Sequence, residues 1–364
     1  MQPISEQSKT EPEAVANEPA SSADGDAHRL RNGVIWTSVL AALLLAIGLA
    51  VPDLRGVLDR ATEAAPGWLI LSVGLEIASC LGYVAVVRLV LPRAPARDVR
   101  RLAWAETAFG AVVPVGGAGG LAVGAWAMRA WGSSWSRIAN RSAVIFMLTS
   151  AVNGAVLVIT GLGVWIGIGS PRTGLLYGLL PAAGASILIG FFLALPALAV
   201  RAGPDAGKFG SFARRVGSWV ADTERVAFQR NWRVLGSVSY LLFDVAVLWA
   251  CLRAVGDRPP LLALLVGYQV GYLSNVIPVP GGIGALEGGL LGALVLYGLP
   301  AAPTAAAVVL YHAIALWVPT GIGTVNFVTL RRSLATSTRK PQLKAVRGPG
   351  QSDGRAAARD ELAA

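Results

Sequence analysis

Cysteine and histidine are nearly missing from this sequence, with two of each among 364 residues. Two cysteines cannot build a disulfide framework, and without a Cys/His cluster a zinc site is not expected. Charged residues are also scarce at 14%, whereas soluble domains carry about 25%. These shortages argue against a disulfide-rich secreted domain and a metalloenzyme. We expect the protein to need no metal and no other cofactor.

The motifs of soluble enzymes are missing as well. The sequence has no Gly-x-Ser-x-Gly elbow, no paired-histidine zinc motif and no dinucleotide-binding fingerprint. Residues 203–209 resemble a phosphate-binding loop, but the spacing is one residue short and Phe209 replaces the required Ser or Thr. An intramembrane acid or base at Glu287 or Asp244 has no supporting constellation of residues. We therefore expect that the protein is not an enzyme.

Long apolar segments are what the sequence does contain, and hydrophobic residues make up 54% of it. A helix needs roughly 20 apolar residues to cross the hydrocarbon core of a bilayer. Six segments reach that length: 33–51, 68–91, 142–168, 174–200, 234–255 and 303–330. We predict an all-α polytopic membrane protein with six full transmembrane helices in a domain over residues 33–330.

Two further apolar regions, 102–130 and 261–297, are each split by a cluster of proline and glycine. The first cluster runs from Pro114 to Gly120, and the second runs from Pro278 to Gly284. The arms beside the first cluster have about a dozen residues each, too few to cross a bilayer as helices. We predict that both regions are re-entrant helical hairpins, which turn at mid-depth and return to the side they entered.

Basic residues predict the side of the membrane that each connection faces, because cytoplasmic loops collect Lys and Arg. They dominate both flanks of the first hairpin, the loop 201–233 and the tail 331–364. A hairpin that returns to its own side satisfies this pattern. With six crossings, the disordered acidic tail 1–32 and the basic tail 331–364 are both cytoplasmic, in a bacterial cytoplasmic membrane. Topology thus explains the net charge of +10, and no nucleic acid is expected as a partner.

The loop 201–233 contains an amphipathic segment. Its apolar residues Phe209, Phe212, Val216, Trp219 and Val220 fall on one helical face, with basic residues at the edge. Such a helix either lies on the anionic lipids of the inner leaflet or packs on the bundle. The pattern does not decide between these alternatives.

The two proline-glycine breaks share a local pattern. Val113-Pro114-Val115 and Ile277-Pro278-Val279 are each followed by glycines. In the predicted topology, the two hairpins enter the membrane from opposite sides. This combination predicts an inverted repeat, in which broken segments of the two halves meet near the midplane and form a substrate site.

Residues of the breaks and charged residues within the apolar segments are the candidates for a substrate pathway. Non-helical backbone at membrane depth must be buried in protein or line a polar cavity, and intramembrane charge marks function by default. The predicted pathway residues are Glu106, Pro114, Gly116, Gly117, Gly119, Gly120, Arg129, Asp244, Pro278, Pro280, Gly281, Gly282, Gly284 and Glu287. Two alternatives stay open: the glycines serve helix packing alone, and Glu106 and Arg129 pair or reach to the interface. Glu76 in the second crossing is a further intramembrane acid.

The second break carries a resemblance to a known family. Pro280-Gly281-Gly282-Ile283-Gly284-Ala285-Leu286-Glu287, followed by Gly298-Leu299-Pro300, resembles a motif in the transmembrane domain of lysylphosphatidylglycerol synthases. The first break matches less well, since residues 121–124 are apolar or small where the family has an acidic residue or Arg. The resemblance implies movement of lipid between leaflets. Because the chain ends soon after its last span, it implies a stand-alone form without the soluble synthase domain.

Three hypotheses follow for the function. The first is a flippase-like lipid transporter, in which Glu287 and Asp244 engage a cationic headgroup and Arg129 meets phosphate at the inner face. The second is a membrane scaffold for a separate enzyme that modifies lipids or glycans. The third is a secondary transporter of a small soluble solute. Membrane lipids are the expected partners in the first case, and the oligomeric state stays open.

Overall fold

The computed structural model describes residues 59–113, 118–169, 173–201, 207–273 and 285–346, and within them it contains helices and no strand. The predicted first crossing, 33–51, lies outside the described residues, as do most residues of the two breaks. The predicted all-α class is confirmed for the part of the chain that the structure describes.

Ten α-helices follow one another in the described ranges. They are α1 (Pro66–Val90), α2 (Ala96–Val112), α3 (Ala118–Ala130), α4 (Trp135–Trp165), α5 (Leu180–Arg201), α6 (Gly207–Ala227), α7 (Leu235–Ala254), α8 (Leu261–Tyr272), α9 (Ala285–Leu296) and α10 (Ala301–Val346). A π-helical turn, Leu175–Leu179, leads into α5, and a 3₁₀ turn, Trp232–Val234, leads into α7. Local chemistry sets several starts: Pro66 is at the first turn of α1, and the Ser134 side chain accepts the Arg137 backbone N–H at the start of α4.

Five helical segments are long and apolar enough to cross a membrane. They are Pro66–Val90, Trp135–Trp165, Leu175–Leu198, Trp232–Ala254 and Ala301–Ala335. In order and position they correspond to the second to sixth predicted crossings. The apolar helix α8 has only 12 residues, which is too short to cross a hydrocarbon core that needs about 20. The number of crossings in the whole chain remains a prediction.

Two helices extend beyond the predicted crossings. Helix α4 begins at Trp135, seven residues before the predicted start at 142, and α10 continues to Val346, inside the predicted basic tail. Hydropathy detects the lipid-facing part of a helix, whereas the helix itself continues until a breaker residue or a cap ends it. Residues 331–340 contain neither glycine nor proline, so nothing local stops α10 where its apolar run ends.

Helices α1 and α7 cross in close contact. A Cβ atom added to Gly82 would meet the Gly236 carbonyl oxygen at 2.7 Å, and one added to Gly236 would meet the Gly82 oxygen at 2.6 Å. Further along, the Ser79 hydroxyl donates to the Tyr240 carbonyl at 2.8 Å, and Ser72 Oγ lies 3.6 Å from Cys251 Sγ. Because residue numbers rise on one helix as they fall on the other, the helices run antiparallel, as the predicted crossing order requires.

Each predicted hairpin has two arms that pack antiparallel. In the first, a Cβ on Gly120 of α3 would meet the Glu106 carbonyl of α2 at 2.7 Å, and Gly119 faces Phe109. In the second, Gly267 of α8 faces Leu294 of α9, and Gly271 faces Leu290. Glycines at these crossings allow the backbones to approach closely. The described arms of each region therefore pack against each other, and the re-entrant hairpins remain a prediction.

Long and short helices follow one another in the same order in both halves of the described chain. In the first half a long helix (α1) precedes two short antiparallel arms (α2 and α3) and a second long helix (α4). The second half repeats the order with α7, α8, α9 and α10. The central contact joins α1 to α7, the first helix of each set. This arrangement supports the proposal of an inverted repeat.

Helix α6 packs its apolar face on the bundle. Val216 and Val220 are buried against Leu195 of α5 and Met147 of α4. This contact favours the second of the two alternatives for the loop 201–233. Phe212 does not join the packed face, since 61% of it is exposed.

Candidate functional site: two polar clusters

The first polar cluster, which we call the paired cluster, consists of Tyr83 on α1, Glu106 on α2 and Arg141 on α4. Arg141 Nη2 lies 2.6 Å from Glu106 Oε2, and the Tyr83 hydroxyl donates to the same oxygen at 3.0 Å. Glu106 is 2% exposed and Arg141 is 4% exposed. The negative and positive charges are therefore buried together and compensate each other.

Helix α3 provides the space for this ion pair. A Cβ on Gly124 would collide with Glu106 Oε1 and would come within 2.8 Å of Arg141 Nη1. Any larger residue at this position would displace one of the two charged side chains. Of the predicted pathway glycines, Gly119 and Gly120 also pack on α2. At these described positions the packing alternative has direct support.

The second cluster, which we call the acidic cluster, consists of Glu76 on α1, Asp244 on α7, Tyr268 on α8 and Tyr311 on α10. The Tyr311 hydroxyl donates to both Asp244 oxygens, at 3.1 and 3.0 Å, and the Tyr268 hydroxyl also donates to Asp244. Both tyrosines are buried, at 2% and 3% exposure. Two neutral donors thus orient one carboxylate and leave its charge uncompensated.

Glu76 faces Asp244 across the α1–α7 contact. The antiparallel pairs Ser72–Cys251 and Ser79–Tyr240 bracket the two acids, so the register places Glu76 opposite Asp244. The two carboxyl groups are close enough for their charges to interact. Glu76 is 5% exposed; its Oε1 accepts from the Cys80 thiol at 3.5 Å, and its Oε2 is buried with no hydrogen-bond partner among the described residues.

The acidic cluster extends to the surface at one end of α8. Asp244 is half-buried, and Tyr272, which stacks on Tyr268 with ring centroids 5.3 Å apart, is 38% exposed. Tyr272 is the last residue of α8, shortly before the second proline-glycine break. None of the ion pairs among the described residues includes Asp244 or Glu76. The cluster is an accessible acidic site that has no cation of its own in the described part of the chain.

Arg129, another predicted pathway residue, belongs to neither cluster. It lies exposed at the end of α3, donates to the Ser133 carbonyl at 2.9 Å and covers the Trp135 ring at 5.3 Å. This position agrees with the alternative that Arg129 reaches the interface. Its expected contact with a lipid phosphate remains a prediction.

Several predicted pathway residues cannot be placed. Pro114, Gly116, Gly117, Pro278, Pro280, Gly281, Gly282 and Gly284 lie outside the described residues. Glu287 lies in α9, but its side chain is not described. Across the described ranges, no three His, Cys, Asp or Glu residues come together as a metal site would require.

Sequence reasoning missed four members of the clusters as site residues: Tyr83, Arg141, Tyr268 and Tyr311. Arg141 follows Arg137 at a flank that we predicted to be cytoplasmic, so its positive charge was attributed to topology. The sequence offered one signal that Arg141 could be a site residue, namely its position in the first turns of a long helix. Tyrosines in apolar segments count as hydrophobic in a hydropathy profile, although a buried hydroxyl usually has a hydrogen-bond partner.

Together these features define a polytopic α-helical membrane protein, whose described residues form a polar cluster in each half. The family model described as lysylphosphatidylglycerol synthase TM region matches residues 34–323, and the chain belongs to this family. The resemblance seen at the second break is thereby confirmed. The chain is also similar to a UPF0104 membrane protein of Methanothermobacter thermautotrophicus, 36% identical over 90 residues. That match spans 24% of this chain and about a quarter, 26%, of the relative.

Proposed function

We propose that this membrane protein moves a lipid or a lipid-linked substrate between the leaflets of the cell membrane. The observation that carries the proposal is the half-buried Asp244 carboxylate of α7, which accepts hydrogen bonds from Tyr268 and Tyr311. Membership of a family named for the transmembrane region of a lipid synthase supports lipid as the substrate class.

The acidic cluster would act on the headgroup of the lipid. A carboxylate with two neutral donors and no neighbouring cation attracts a positive group, and hydrogen bonds between ionised partners are about twice as strong as neutral ones. The headgroup would pass along the acidic cluster while the acyl chains stay in the bilayer. Glu287 would assist from α9, and Arg129 would meet the lipid phosphate at the interface.

The outer surface of the bundle suits this mechanism. Large apolar side chains are exposed on the long helices, for example Ile70 at 73%, Ile159 at 69% and Ile187 at 72%. Such a surface is stable only in contact with lipid. A lipid molecule therefore reaches the protein laterally from the bilayer, without first entering water.

Leaflet exchange in proteoliposomes tests the proposal. The purified protein is reconstituted with fluorescent phospholipids that share acyl chains and differ in headgroup, and the label exposed outside is quenched chemically. We expect faster exchange than in protein-free liposomes, most of all for a net-positive headgroup. If the folded protein moves none of these lipids, the proposal is wrong and the scaffold hypothesis gains support.

A further inference from the structure

The two neighbouring acids of the acidic cluster, Glu76 and Asp244, indicate how transport could be coupled to protons. Glu76 is 5% exposed and Asp244 is half-buried, and neither has an ion-pair partner in the described part of the chain. Two neighbouring carboxyl groups in this position are not expected to carry both charges, because burying an uncompensated ion costs several kcal/mol. Other proteins meet this situation by letting two carboxyl groups share one proton. Glu76 Oε2 is buried and has no hydrogen-bond partner among the described residues. This oxygen could therefore carry such a proton or accept a hydrogen bond from another donor.

Among the described residues, the ion pairs include neither acid, and the groups around the two acids are mostly neutral donors. The ionisable groups that act on them come from all four helices of the cluster. They are Cys80 on α1, Tyr240 on α7, Tyr268 and Tyr272 on α8, and Tyr311 on α10. His312 contacts the Tyr311 ring edge-on at 5.2 Å, and its Nδ1 lies 3.2 Å from the Val308 carbonyl. Thiols and phenols are neutral near pH 7, so they orient the acids without compensating them.

We propose that Glu76 and Asp244 hold one proton between them and exchange it for the cationic headgroup of a lipid. This inference rests on the proposed function. In the exchange, the carboxylic O–H bond breaks, the proton passes to solvent on the side of Tyr272, which is 38% exposed, and an ammonium group takes its place. The acids and their occupant carry a net charge of −1 before and after the step. A proton gradient would therefore drive the headgroup in the opposite direction.

Infrared spectroscopy of the full-length protein in detergent tests the shared proton without any lipid. A protonated carboxylic acid has a C=O stretching band that is separate from the carboxylate bands. We expect this band in the wild type at neutral pH, its loss in Glu76→Gln and a shift of its frequency in Asp244→Asn, where Glu76 stays buried but loses its acidic neighbour. Glu224→Gln, an exposed glutamate on α6, is the matched control and should keep the band. A wild type without the band would overturn the inference.

Proton release tests the exchange. A short-chain phospholipid with a net-positive amine headgroup is added to weakly buffered protein, and short-chain phosphatidylglycerol serves as the anionic control. We expect about one proton released per bound cationic lipid and none with the control. Binding without proton release would overturn the inference.

The outcomes also separate this inference from the proposed function. If lipids exchange between leaflets while the protonated band is absent and a pH gradient has no effect, the inference fails and the proposed function stands. If the band is present, is lost in Glu76→Gln and shifts in Asp244→Asn while no lipid moves, the shared proton stands and the proposed function fails.

Discussion

The two halves of the described bundle bury one polar cluster each, and helices in corresponding positions supply both. In the first half, α1, α2 and α4 bring together Tyr83, Glu106 and Arg141. In the second half, α7, α8 and α10 bring together Asp244, Tyr268 and Tyr311. The first cluster contains its own counterion, whereas the second gains another acid, Glu76, from α1.

This difference indicates a division of roles between the halves. The buried ion pair between Glu106 and Arg141 joins α2 to α4, with Tyr83 of α1 as a further donor. Removing either charged partner leaves an uncompensated charge. A carboxylate that lacks a counterion and faces an opening gains most from an external cation. The paired cluster is therefore expected to stabilise the fold, and the acidic cluster is expected to bind substrate.

The largest effect is expected from Arg141→Met, which leaves the buried Glu106 side chain without its ion-pair partner. Loss of one member of a buried pair costs about 3–5 kcal/mol. Thermal unfolding in detergent should show a strong decrease in stability. The double variant Glu106→Gln/Arg141→Met should recover much of the loss, because it buries no charge. A double variant that is less stable than Arg141→Met would contradict a compensated pair.

The next largest effect is expected from Asp244→Asn on lipid exchange. The amide keeps the shape of the side chain but loses the charge, and a hydrogen bond to a charged group contributes about 1.5–3 kcal/mol. Exchange of a cationic lipid should slow about ten- to a hundredfold, with little change in thermal stability. Asp98→Asn, which removes a surface carboxylate paired with Arg101, should exchange lipid at the wild-type rate. Equal rates for Asp244→Asn and the wild type would contradict a headgroup role.

A smaller effect is expected from Gly82→Ala at the α1–α7 contact. The added methyl would meet the Gly236 oxygen at 2.7 Å, and overpacking of this kind costs about 1–3 kcal/mol. Separation of the helices would also move Glu76 away from Asp244, so both stability and exchange should fall. Gly74→Ala on the same helix is the control, since a Cβ there has no neighbour within 4 Å. If Gly82→Ala and Gly74→Ala lost stability and exchange to the same extent, separation of α1 from α7 would not be the cause of the losses.

The smallest effects are expected from the tyrosines. Tyr311→Phe removes one donor while Tyr268 still holds Asp244, and one hydrogen bond contributes about 0.5–1.5 kcal/mol. Exchange should slow about two- to tenfold. Tyr83→Phe in the paired cluster removes a comparable donor from Glu106 and should leave exchange unchanged, because Arg141 remains. The measurement is the ratio of the exchange rate of Tyr311→Phe to that of Tyr83→Phe. A ratio near one would contradict the division of roles between the two clusters.

Hydropathy and charge predicted the class of fold and the positions of the long helices α1, α4, α5, α7 and α10. This worked because a lipid-facing surface must be apolar along its whole length. The proline-glycine breaks predicted the antiparallel arms α2–α3 and α8–α9, since proline ends a helix and glycine permits close packing.

The composition of each cluster could not be predicted in the same way. Glu106 and Arg141 are 35 residues apart, and their contact depends on how α2 packs against α4. Asp244 was expected as a site residue because a lone carboxylate in an apolar segment is conspicuous. Its pairing with Glu76 depends on the α1–α7 register, which Gly82 and Gly236 set through a contact distant in sequence.

The most direct test of the account compares the two clusters in one assay. Exchange of a net-positive phospholipid is measured in proteoliposomes for Asp244→Asn and for Glu106→Gln/Arg141→Met, with each rate normalised to the amount of folded protein. The account predicts that the double variant retains most of the wild-type rate while Asp244→Asn loses it. Equal loss in both variants, or a normal rate for Asp244→Asn, would contradict the account.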